Sequence, residues 1–165
     1  MRNGETGNET DLRLEANHLM KLSAHFTLDE MTLSQEAVRS GLRNIPDAAQ
    51  TDSLRRLCES VLEPLRARIN RPIVVSSGFR SKTVNTRIGG SKTSQHCKGE
   101  AADIVVPGMD SAAVVDMIRG MKLPFDQVID EFGRWVHVSH SGNGNRGEVL
   151  MAWRRGGQTL YRRVA

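Results

Sequence analysis

Aromatic residues are scarce in this sequence: four Phe, two Trp and one Tyr among 165 residues. A core must therefore rest on Leu, Val, Ile, Met and Ala. Cysteine is scarcer still, with only Cys58 and Cys97. Two cysteines exclude a disulfide scaffold, and their spacing fits no zinc ribbon or CxxC redox pattern, so both read as free thiols. No run is apolar for long enough to span a bilayer. The opening Met1 to Asp11 is polar and acidic and lacks the basic start and apolar stretch of a signal peptide. The expectation is synthesis without a Sec-type signal, so that work outside the cytoplasm needs another release route.

What is present is an ordinary globular balance, 38% apolar and 25% charged. The length suits one domain with a real core. Residues 1–15 are expected to be a flexible leader, and residues 16–165 the domain. Net charge is +4. Much of the excess sits in a tail where Arg146, Arg154, Arg155, Arg162 and Arg163 face only Glu148. Two readings of that tail stand side by side: a solvated basic surface, or a surface for polyanions such as nucleic acid, an acidic membrane or bacterial wall polymers.

Thr27 followed by Glu30 reads as a capping box that opens a short helix. Ser34 caps another, which Gly41 ends. Asn44 to Asp47 reads as a connector. From Thr51 to Asn70, Leu54, Leu57, Val61, Leu62, Leu65 and Ile69 fall at intervals of three and four, the mark of one helical face. Pro64 lies inside that run and predicts a kink. Pro72 to Ser76 reads as a strand. Residues 79–99 read as a long ordered loop with at most a helical turn, and loops of that length are usually functional. Strands follow over 101–106, 125–131, 135–139 and 149–153, with a helix after Asp110. The pattern predicts an α+β fold: N-terminal helices packed on a small, mostly antiparallel sheet.

The chemically dense stretch is Ser94-Gln95-His96-Cys97-Lys98-Gly99-Glu100-Ala101-Ala102-Asp103. A histidine from a loop and a carboxylate from the strand it leads into are two ligands suited to Zn²⁺. Catalytic zinc takes a third protein ligand and leaves one position open. His137 is the candidate. Strand alternation would turn Trp135, His137 and Ser139 to one face and Val136 and Val138 into the core. A lone histidine in a strand is more often structural, and a lone Asp before a strand is often a cap. His18 and His140 read as surface residues, and His25 as packing beside Phe26. Cys97 reads as a small filler or as a thiol able to compete for metal.

These segments resemble the M15 zinc peptidases, the D-Ala-D-Ala carboxypeptidase and phage endolysin group that shares its fold with hedgehog signalling domains. The resemblance rests on SSGFRS (76–81), SQHCKGEAAD (94–103) and EFGRWVH (131–137), and on the lead-in LSAHFTLDEMTLSQEA (22–37). It spans about residues 20–153. It implies one zinc ion held by His96, Asp103 and His137, with Arg80 gripping a substrate carbonyl or carboxylate. It also implies an acidic general base before the third ligand. Many members place that acid three residues before it, where this chain has Arg134, which cannot accept a proton. The hedgehog-like spacing points instead to Glu131, and alternation turns Asp130 to the other face. Trp135 is expected to wall the pocket. Ser94 either holds a backbone group or a substrate amide, or is a plain turn residue.

The expected activity is zinc-dependent hydrolysis of peptide bonds in bacterial peptidoglycan, as a D,D-carboxypeptidase or an endopeptidase, including the phage lysin case. The expected partner is the wall peptide, with no specific nucleic acid, no membrane insertion and a monomeric state. Action is expected at the wall or in the periplasm after release. The alternative is a non-catalytic, zinc-containing wall-binding or interaction module of the same fold. A mononuclear iron oxygenase also uses two histidines and a carboxylate, but it usually spaces the first pair as HxD, and here six residues separate His96 from Asp103.

Overall fold

A computed structural model describes residues 20–164. The leader expected over 1–15, and His18, lie outside the described residues. The first helices are α1 (Leu28–Thr32) and α2 (Gln35–Ser40). Thr27 Oγ1 accepts from the Glu30 amide, and Ser34 Oγ from that of Ala37. Gly41, at φ 62°, closes α2 with the left-handed turn that favours glycine. A complete capping box lies at Asp47 and Gln50, inside what reads in sequence as a connector.

That box opens α3 (Ala48–Leu57), which runs through a π-helical turn (Cys58–Leu62) into α4 (Glu63–Ile69). The π turn answers Pro64. Proline has no N–H to offer the turn behind it, and the helix widens just before it, with the Glu63 amide bonding the Cys58 carbonyl. The expected kink is therefore a register change. Leu54, Leu57, Val61, Leu62 and Leu65 are fully buried along one face. Each stabilises the fold by about 1.5–3 kcal/mol relative to an exposed side chain.

The sheet holds β1 (Val74–Ser77), β2 (Ala101–Val105), β3 (Gln127–Glu131), β4 (Trp135–Ser139), β5 (Glu148–Arg155) and β6 (Gln158–Arg163). Their order is β1-β2-β4-β3-β5-β6, and only the β3–β5 pair is parallel. Ala102, Ile104, Val128, Val136, Val138 and Val149 turn to one face and join the helices, including α6 (Ser111–Gly120), in the core. The other face carries the polar alternates and forms the floor of a cleft.

Two stretches differ from the sequence reading. Residues 79–99 hold more than one helical turn: α5 (Lys82–Arg87) and a 3₁₀ turn (Gln95–Lys98). Both are too short for apolar periodicity to show. The basic tail extends past the strand read over 149–153: it forms β5 and β6, with Arg154, Arg155, Arg162 and Arg163 exposed. Arg146 pairs with Asp126, Arg163 pairs with Glu148, and Arg154 lies over the Phe132 ring at 5.3 Å. His25 bonds Glu63 at 2.8 Å, and His140 is half-buried rather than on the surface. Cys58 is buried and Cys97 partly so, both free. Among the described residues no helix is long and apolar enough to cross a membrane.

Gly99 locks the 3₁₀ turn against α3. Its φ is +71°, and a Cβ there would stand 2.3 Å from the Gln50 carbonyl oxygen. Gly41 has φ +62° with nothing within 4 Å of the same atom. Replacing Gly41 by Ala should cost about 1 kcal/mol for the left-handed backbone alone. Gly99→Ala adds a backbone clash and should cost at least about twice that, roughly 4–8 °C in Tm. Thermal unfolding of the two variants checks the difference.

Candidate metal centre and cleft

Three elements carry the site. The 3₁₀ turn presents His96, β2 presents Asp103, and β4 presents His137. Pairing of β2 with β4 sets Asp103 directly opposite His137. A β-bulge between Val75 and Ser77 on the neighbouring strand sets Ser77 opposite Asp103 from the other side. Bulges of this kind re-aim side chains beside functional sites.

One ligand atom from each of His96, Asp103 and His137 lies within 4.8 Å of the others. His137 Nδ1 is 3.1 Å from Asp103 Oδ1 and 3.2 Å from His96 Nε2. His96 Nδ1 is 2.7 Å from the Gly78 carbonyl oxygen. That oxygen can only accept, so Nδ1 carries the proton and Nε2 turns its lone pair toward the group. Gly78 reaches this position because it has no side chain: a Cβ would lie 2.2 Å from the Met31 carbonyl oxygen.

Burial is the first influence on the charges. It pushes the His96 pKa down, so the ring stays neutral and able to ligate. Burial also opposes ionisation of Asp103, but His96 and the hydrogen bond from His137 outweigh it and hold the carboxyl well below the usual range. A neutral imidazole with a fixed tautomer beside an ionised carboxylate and a second imidazole fits Zn²⁺ with a position left open. The Cys97 thiol lies outside this group, and burial raises its pKa.

The SSGFRS segment supports the trio. Arg80 donates from Nη2 to Asp103 Oδ2 at 2.8 Å and from Nε to Ser77 Oγ at 2.9 Å. Its amide donates to the His96 carbonyl at 3.1 Å. Arg80 thus stands against the trio, held from two sides.

A cleft of about 710 Å³ opens over the three residues and is lined by Arg80, Ser94, Glu131 and Trp135 among others. All seven residues singled out from sequence therefore meet at one cavity. The Trp135 ring packs edge-on to Phe132, 5.5 Å between centroids. Ser94 heads the 3₁₀ turn and its side chain caps no amide. Asp130 points to the helix face, where Ser111 donates to it at 2.6 Å.

A family model for Peptidase M15 matches residues 24–139. The chain belongs to the M15 peptidase family. It is also 49% identical over 50 residues to the zinc D-Ala-D-Ala carboxypeptidase of Streptomyces albus G. That alignment covers 30% of this chain, and the chain spans about a fifth of the relative's length. The M15 match ends at Ser139, so β6, whose Tyr161 lines the cleft, lies beyond it.

Asp126, absent from the sequence reading, is the main residue it missed. It is 3% exposed and accepts from the Arg146 backbone amide at 2.9 Å, from Arg146 Nη2 at 2.6 Å and from Gln95 Nε2 at 2.9 Å. It thereby ties the turn bearing His96 and the 141–147 loop to the sheet. Only its acidic character and position before a strand marked it. The Arg146 guanidinium holds its pKa down to about 2, against an ordinary 3.8. A lowered carboxyl pKa stabilises the fold fully above the unfolded value, and that stability is lost as pH falls through the folded one. Asp126→Asn should therefore lose on the order of 1–2 kcal/mol at neutral pH. Between about pH 4 and pH 2 the gap to the parent should close, as urea unfolding at several pH values would show.

Proposed function

We propose that this chain is a zinc-dependent peptidase acting on the stem peptides or cross-links of bacterial peptidoglycan, with one zinc ion held by His96, Asp103 and His137. The carrying observation is the convergence of that trio with Glu131 and Arg80 on one cleft. Zinc bound there supplies Lewis acidity, polarising a peptide carbonyl and acidifying water. The alternative of a non-catalytic module is disfavoured by the acid and the cation that the cleft retains.

Glu131 is the proposed general base. Burial raises its pKa, the charge of His137 opposes this, and the charges of Asp103 and Asp130 add to it. A base so raised is better matched to proton transfer near neutral pH than an ordinary Glu. It takes a proton from the attacking water and delivers it to the leaving amine. Asp130 is turned away and occupied by Ser111 and the Gly133 amide. Arg80 offers its guanidinium to the substrate carbonyl or carboxylate. Trp135 walls the cleft, and Ser94 offers a hydroxyl at its rim. One domain over residues 16–165, working as a monomer at the wall, carries this activity.

Glu131→Gln should keep the zinc and lower peptidoglycan cleavage by about 10²–10⁴-fold. Mass spectrometry of muropeptide digests reads both the loss and the bond cut: release of a terminal D-Ala marks a carboxypeptidase, and separation of cross-linked stems an endopeptidase. A zinc-loaded parent protein that releases nothing would sink the proposal in favour of the module.

A further inference from the structure

The cleft has a wall that the M15 match does not reach. Strand pairing sets Trp135 opposite Glu131, Glu131 opposite Ala152, and Ala152 opposite Tyr161. Paired residues on neighbouring strands share a face. The row therefore runs Trp135, Glu131, Ala152, Tyr161, and all but Ala152 line the cleft. Ala152, between Glu131 and Tyr161, is buried. With strands about 4.8 Å apart, the Glu131 and Tyr161 backbones stand about 10 Å apart.

Tyr161 is the chain's one tyrosine, and it is 54% exposed on an outer strand. Its hydroxyl has no hydrogen-bond partner among the described residues. Burial and the Glu131 charge push the phenol pKa up, so it stays an O–H donor. The ring stands beyond Glu131 from the metal trio, because the trio lies on the β2 and β4 side of β3. Glu131, which exchanges protons with the reacting peptide, thus stands between the trio and Tyr161.

We propose that Tyr161 binds the substrate peptide beside Glu131, donating its phenolic O–H to a carbonyl or carboxylate oxygen. This rests on the peptidase reading for the identity of the substrate. It makes Tyr161 a substrate-binding residue on β6.

The test compares the zinc-loaded parent with Tyr161→Phe, which keeps the ring and loses the donor. Loss of one hydrogen bond to a charged or carbonyl oxygen should raise KM for muropeptide about tenfold, with kcat within about twofold and zinc content unchanged. Binding of the same muropeptide is measured by calorimetry in Glu131→Gln with and without Tyr161→Phe, and it should weaken by about the same factor. Unchanged KM and binding would overturn the proposal. So would a fall in kcat at constant KM, which places the phenol on Glu131 rather than on substrate. Absence of cleavage by the parent counts against the peptidase reading alone, and the binding comparison still decides the role of Tyr161.

Discussion

The site depends on the register of two strands. β2 and β4 pair so that Asp103 faces His137. A slip of one residue would turn either side chain into the helix-packed core and a valine or alanine into the cleft. The register is held because the alternates, Ala102, Ile104, Val136 and Val138, are fully buried against the helices. Core packing and metal geometry are thus one constraint seen from two faces of the sheet.

Burying an ionised carboxylate is expensive unless its partners are fixed. Asp103 is 8% exposed and meets Arg80, His96 and His137 at once. Each partner is itself held: Arg80 by Ser77, and His96 by the Gly78 carbonyl. The turn bearing His96 is tied from outside by Gln50, which donates to the Cys97 carbonyl, and by Gln95, which donates to Asp126. The cleft is therefore rigid where charge is concentrated and open toward β6, where a substrate needs room.

The trio was legible in sequence because His96, Gly99 and Asp103 fall within eight residues, a spacing that only a turn feeding a strand reconciles. His137 was legible through alternation between two buried valines. The main helix declared itself by periodicity, but not the π turn, because a register change leaves the apolar spacing almost intact. Strand β6 was hidden: as an outer strand rich in Arg it lacks the apolar alternation of an inner one. Asp126 and Tyr161 were hidden for a related reason. Their roles come from pairings across twenty or more residues on strands that sequence patterning undervalued. Arg80 was expected to face substrate, and its grip on Asp103 follows from the bulge in β1, which no local pattern announces.

The central claim is that His96, Asp103 and His137 hold one zinc ion. X-ray absorption at the zinc edge, on protein loaded to saturation, reads stoichiometry and donor type together. The account predicts one zinc per chain with two imidazoles and an oxygen shell free of sulfur. A sulfur shell from Cys97, or binding that persists undiminished in His137→Ala, would contradict it.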